Sequence, residues 1–148
     1  MERSLVLIKP DAVQRALAGQ IISRLERKGL KIVAMKMLHI DKNLAERHYA
    51  IHKGKAFFDD LVSFITSSPL IAIVFQGENA VQMIRQMMGE TDPAKASSGT
   101  IRGDFGIDVA HNLVHGSDST ENASKEIDLF FSAKEILDYD RELDTWVY

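Results

Sequence analysis

Ser4-Leu5-Val6-Leu7-Ile8 is a short run without a charge, followed at once by Lys9-Pro10-Asp11. A run lacking polar alternation is the pattern of a strand buried on both faces, and the proline closes it because it has no N–H to give the ladder. Working outward, Leu17, Ile21, Ile22 and Leu25 mark a helix that stops at Lys28-Gly29, with a basic last turn and a glycine just past the end. Leu30 to Leu38 returns as a second strand. From Asn43, residues Leu44, His48 and Tyr49 follow helical spacing. After a break at Lys53-Gly54-Lys55, a second helix runs through Phe57, Phe58, Leu61, Val62 and Ile65, making a helical hairpin. Ser67-Ser68-Pro69 ends it, and Leu70-Ile-Ala-Ile-Val-Phe75 is the third strand. Ala80, Val81, Ile84, Met87 and Met88 form the next amphipathic helix, with Gly89 as its stop and Arg85 at the edge of its apolar face. Leu113 and Val114 open a last strand. Ala123, Ile127, Phe130 and Phe131 then recur at i, i+4, i+7 and i+8 on a final helix. This order reads as an α+β fold of the ferredoxin-like βαββαβ kind: a four-stranded antiparallel sheet covered by helices, with the helices on one face.

At 148 residues the chain is one domain, spanning 1–148, able to bury roughly 70% of the surface its unfolded form exposes. Zero cysteines exclude disulfides, iron–sulfur clusters and thiol catalysis. The chain runs from Met1 straight into a strand pattern without a signal-peptide profile, and no apolar run approaches a membrane span, so the expectation is a soluble, cytoplasmic protein with no membrane partner. A net charge of −3 gives no basic field, and nucleic acid is not an expected partner, since phosphate contacts need clustered Lys and Arg. Any anion site here is local.

Asn112-Leu-Val-His-Gly-Ser-Asp-Ser119 is where the chemistry concentrates. Gly116 lets the backbone turn sharply or a ligand approach, so His115 is presented at a strand end facing open space. Ser117, Asp118 and Ser119 are helix-start residues, and Glu126 falls on the border of the following apolar face, from which its carboxylate reaches back towards the imidazole. A nucleophilic histidine needs a free lone pair on one ring nitrogen and an acceptor holding the other; Glu126 is the candidate holder and Ser117 the group that orients it. A lone histidine is more often a turn residue, but the His-Gly-Ser-Asp-Ser string with its downstream glutamate favours function. Lys9, at the mouth of a central strand, is equally well read as a solvated strand end. His48 and His52 are spaced i, i+4, yet no glutamate lies between them as H-E-x-x-H would need, so a metal site carries little weight. Phe57 and Phe58 are adjacent: one faces away from wherever the other points, leaving one free to stack. Between Gly89 and Asn112 no periodicity is evident, and Thr100-Ile-Arg-Gly-Asp-Phe-Gly106 reads as glycines around an arginine that let amides and a guanidinium face an anion together. The tail, with Trp146 and Tyr148, reads as a surface for a neighbouring subunit.

Asn112 to Ser119 resembles the active-site signature of the nucleoside diphosphate kinases, and the resemblance extends over essentially the whole chain. Ile-Lys-Pro-Asp-Ala-Val-Gln-Arg at 8 to 15 is similar to that family's first-strand motif. His48-Tyr49 with Phe57-Phe58 is similar to its nucleotide-clamping hairpin, and Gly89-Glu-Thr-Asp-Pro93 with Gly99-Thr-Ile-Arg-Gly-Asp-Phe105 to its phosphate loop. The resemblance implies a phosphotransferase that moves the terminal phosphate of a nucleoside triphosphate to a nucleoside diphosphate by a ping-pong mechanism. By the same resemblance His115 is phosphorylated at Nδ1, Glu126 holds the other nitrogen, and Ser117, Lys9 and Tyr49 complete the catalytic set. It further implies that Lys9, Arg85, Thr91, Arg102 and Asn112 contact phosphate and ribose, while Phe57 stacks on the base with Leu61 and Val109 completing the slot. Stacking without edge hydrogen bonds leaves little base specificity. Also implied are Mg²⁺ carried mainly by the nucleotide phosphates, with no protein metal site, and a homo-oligomer, usually a hexamer and sometimes a tetramer. Ile51, Ala56 and Ser98 depart from the family's usual residues, but none is a proposed chemical group. Rival readings are a small-molecule binding module on the same fold and a scaffold or nucleic-acid role. The pairing of His115 with Glu126 and the completeness of the phosphate set favour the enzyme.

Overall fold

A computed structural model describes residues Met1–Tyr148. The first strand, β1 (Glu2–Ile8), pairs antiparallel with two neighbours and lies inside a four-stranded sheet of order β2-β3-β1-β4, where β2 is Lys31–Leu38, β3 Leu70–Gly77 and β4 Val114–Gly116. All pairings are antiparallel, with Leu5 opposite Val74 and Leu7 opposite His115. Between the strands run α1 (Pro10–Gln14), α2 (Ala18–Arg27), α3 (Lys42–His48), α4 (Phe58–Ile65), α5 (Ala80–Met88) and α6 (Ile101–Phe105), and α7 (Thr120–Phe130) follows β4. A last turn of helix, α8, spans Asp144–Val147.

The helices cover both faces of the sheet, not one. Leu5 and Leu7 point into a core built with Ala45 of α3, Val62 and Ile65 of α4 and Ile127 and Phe130 of α7. Val6 and Ile8 point into a second core with Ala12 of α1, Ile21 and Leu25 of α2, Ala80 and Ile84 of α5 and Ile101 of α6. Successive strand side chains leave on opposite faces, so a strand apolar at every position has to be covered twice. That requirement was already present in the Ser4–Ile8 run, and it outweighs the single-layer reading.

Local chemistry sets the element ends. Pro10 starts α1, a helix not expected from the sequence: proline has no N–H to leave unpaired in a first turn, and its ring holds φ near the helical value. Ser119 caps α7 by accepting from Asn122 N–H. Gly116 is held by packing, not by a turn: it lies inside β4, and a Cβ there would sit 2.7 Å from Met88 Sδ and 3.2 Å from Ile84 Cγ2. Its missing side chain lets α5 lie close against the histidine strand.

Candidate active site

β4 places Val114 and Gly116 towards the second core and His115 between them on the opposite side, where α3 and α7 meet. The imidazole donates from Nε2 to Glu126 Oε1 at 2.7 Å, and the same oxygen accepts from Ser117 Oγ at 2.9 Å. Ser117 is fully buried, and the backbone N–H of Leu5 in β1 donates to its oxygen at 3.2 Å. A polarised chain therefore runs from β1 through the serine to the carboxylate and on to the ring. Because a carboxylate only accepts, Nε2 carries the proton and Nδ1 keeps its lone pair. The ring's other contact is His48, edge-on with centroids 4.7 Å apart.

His115 is only about a quarter exposed (26%) and lies on a cleft of about 1130 Å³. Two sets of groups line it. On one wall the α3–α4 hairpin presents Tyr49, Phe57 and Leu61, with Val109 facing from a turn of 3-10 helix at Val109–His111. Phe57 is 46% exposed while Phe58 packs against the first core, so the two adjacent aromatics do point apart. Burial pushes the Tyr49 hydroxyl up to about 12, and it stays a neutral phenol. On the floor lie Lys9, Arg85, Thr91, Arg102 and Asn112. Lys9 Nζ donates to Asn112 Oδ1 at 2.7 Å and Asn112 Nδ2 donates to Thr91 O at 3.0 Å, which fixes the amide's orientation. Burial, aided by Arg102, lowers Lys9 to about 8 against the opposing pull of Asp11. The cleft thus gathers every residue named above as a substrate contact, with Ser117 alone set behind its wall.

Arg102 corrects the expectation of an anion-cradling glycine loop. The segment is a short helix, α6, capped by Thr100, whose hydroxyl accepts from Gly103 N–H while its carbonyl accepts from Asp104 N–H. The guanidinium is buried and donates to the carbonyls of Asn112 (3.1 Å), Gly89 (3.1 Å) and Val114 (2.7 Å), tying the loop to the histidine strand. Two of its five N–H bonds remain for a ligand in the cleft. Burial and then Arg85 lower its pKa to about 10, which leaves it charged at neutral pH.

Two features went unseen in the sequence. His48, read from the sequence as half of a weak metal pair and as part of the clamping-hairpin motif, packs its ring edge-on against His115 and Phe130; its nitrogens are buried without partners, and burial followed by the neighbouring His115 holds its pKa well below the usual imidazole value. Its place on the apolar face of a helix was the one available signal. Asp11, read as the end of a strand and as one position of the 8 to 15 motif, accepts at Oδ2 from the Leu113 N–H, a contact no local pattern points to. No group of three or more His, Asp or Glu side chains is arranged to hold a metal ion.

The family profile of the nucleoside diphosphate kinases matches residues 2–136. The chain belongs to the nucleoside diphosphate kinase family. A family member from Pelotomaculum thermopropionicum is 58% identical over 148 residues, 100% of this chain and 99% of that protein. One from Archaeoglobus fulgidus is 55% identical, covering 100% and 98%. Among solved structures, the halophilic nucleoside diphosphate kinase of Halobacterium salinarum in complex with CDP superposes with a TM-score of 0.97 at 53% identity, over 99% of this chain and 98% of that one. Membership in the nucleoside diphosphate kinases makes the chain a phosphotransferase, passing phosphate between nucleoside tri- and diphosphates by a ping-pong route.

Proposed function

We propose that residues 1–148 act as one catalytic unit in which His115 is the covalent carrier of the phosphate. The observation that supports this best is the tether of Nε2 to Glu126, backed by Ser117, on a ring lining a cleft rich in cations. The Nδ1 lone pair attacks the terminal phosphorus of a nucleoside triphosphate in line with the bridging oxygen, whose bond to phosphorus breaks as the diphosphate leaves. Attack puts positive charge on the ring, and Glu126 is placed to oppose it. The second half-reaction runs backwards: an oxygen of a different diphosphate takes the phosphoryl group and the ring regains its lone pair. One cleft serves both halves because donor and acceptor alike present a base, a sugar and a diphosphate, whichever base it is.

Little covalent chemistry falls to the protein, so its contribution is position and charge. Lys9, Arg85 and Arg102 surround the transferring group, and Thr91, Asn112 and the Tyr49 hydroxyl add polar contacts to phosphate and ribose. Phe57 offers its face to the base, with Leu61 and Val109 beside it; this wall is apolar, which favours indifference among bases. A Mg²⁺ would be carried in mainly on the nucleotide phosphates, whose oxygens suit a small hard cation, with Lys9, Arg85 and Arg102 of the cleft meeting the remaining phosphate charge. That ion would neutralise phosphate charge. The assembly we propose is a hexamer, with a tetramer as the alternative, working in the cytoplasm.

Brief incubation with γ-labelled ATP and Mg²⁺, without acceptor, should yield an acid-labile, base-stable phosphoprotein that gives up its label to any added nucleoside diphosphate. His115→Asn should not label at all. Equal labelling of that variant would reject the carrier, and a binding module would label in neither form.

A further inference from the structure

Immediately before the proposed phosphate carrier the backbone is strained. Leu113 is fully buried and sits at φ +73°, a region that a branched side chain rarely enters. Val114 N–H donates back to Asn112 O at 2.8 Å, closing a three-residue turn centred on Leu113, the rarer and strained hand of the γ-turn. The turn breaks the alternation of an extended strand. Leu113 and Val114, though consecutive, both enter the second core, while Asn112 and His115 both reach the cleft. Had the strand run straight, Asn112 and His115 would lie on opposite faces, because they are three residues apart.

A strained turn persists only where its surroundings fix it. Leu113 is pinned at both ends by the corner that closes β1. Lys9 N–H donates to Leu113 O at 2.9 Å, and Leu113 N–H donates to Asp11 Oδ2 at 3.0 Å. This is the only hydrogen bond the Asp11 carboxylate makes, and its other oxygen is buried without a partner. We propose that Asp11 is a positioning residue for phosphoryl transfer: its carboxylate holds the Leu113 turn, which sets the Asn112 amide and the His115 imidazole on one side. Asp11 does not line the cleft and touches no reacting atom. The inference rests on His115 as phosphate carrier. A competing account is that Asp11 acts through its charge, which favours the ammonium form of the neighbouring Lys9.

The test compares Asp11→Ala and Asp11→Asn in the full chain, with His115→Asn alongside. Single-turnover labelling by γ-labelled ATP in Asp11→Ala should slow about 100-fold, the loss expected from a misplacement near 1 Å, while ADP affinity changes less than about fivefold. Hydrogen exchange of the Leu113 amide should quicken in the same variant. Asp11→Asn keeps an acceptor for that amide but drops the charge; it should protect Leu113 and restore labelling to within about threefold of the parent. Labelling of Asp11→Ala at the parent rate, with His115→Asn unlabelled, overturns this inference and leaves the carrier standing; labelling of His115→Asn overturns the carrier itself. An Asp11→Asn as slow as Asp11→Ala assigns the effect to charge on Lys9 and also overturns the proposal. If Asp11→Ala does not fold, Asp11→Leu, similar in shape to aspartate and likewise without an acceptor for the Leu113 N–H, takes its place under the same outcomes.

Discussion

Lys9 is the residue whose surroundings change its chemistry most usefully. Burial disfavours its ammonium and brings the pKa to about 8, close enough to neutrality for pH to read it. The kcat/KM profile reports groups on the free enzyme, so it should fall above about pH 8 as Lys9 loses the charge that meets the incoming phosphates. The kcat profile should bend at higher pH, because bound phosphate favours the charged form. Lys9→Gln should be slower throughout and lack the limb near 8; a limb that survives the substitution would assign it to another group. The stability effect has the opposite sign. Between about pH 8 and 10.5 the unfolded chain holds the proton that the folded chain has released, so this group's contribution to stability increases as pH rises. Activity and stability should therefore part company across that window. The sequence offered Lys9 as a candidate on its position at a strand mouth. Its altered proton affinity was not legible there, because it depends on burial and on Arg102, far along the chain.

At the scale of elements, α6 shows how a local pattern misleads. Glycines flanking an arginine suggest a concave nest of amides, but a nest and a short helix share that composition, and only contacts outside the segment separate them. The reason for Gly103 is a backbone approach: a Cβ there would lie 2.0 Å from Ser97 O, with no flexible group able to yield. Gly103→Ala should lower the urea midpoint by an amount equivalent to about 1–3 kcal/mol, the usual range for an overpacked site. It should also reduce kcat, since the helix carries the Arg102 guanidinium that binds Gly89, Asn112 and Val114 together. An unchanged midpoint would show that the Ser97 segment gives way freely. By contrast α7 was plain from its sequence. Its apolar spacing put Ala123, Ile127 and Phe130 on one face, and this fixed Glu126 at the border from which it reaches His115.

For the whole molecule, the outer strand β2 carries Met35 at 54% and Met37 at 60% exposure, and the tail carries Trp146 at 91%. Large apolar groups on a sheet edge are a liability for a lone chain, which agrees with the proposed assembly. Light scattering should give a mass of six times 16.6 kDa, or four times in the tetrameric case, and a stable single-chain species would reject the assembly. The sequence by itself determined the four strands and the longer helices, the antiparallel βαββαβ order, the family, and the spacing that couples His115 to Glu126, but not the short helices α1 and α6, because periods of two and of 3.6 residues need several repeats to be read. Tertiary structure alone decided that helices cover both faces, that Arg102 clamps three carbonyls, and that Asp11 holds a strained turn 102 residues away. A hydrogen bond joins whatever the folded chain brings within about 3 Å, and a linear text records composition along the chain but not distance across it.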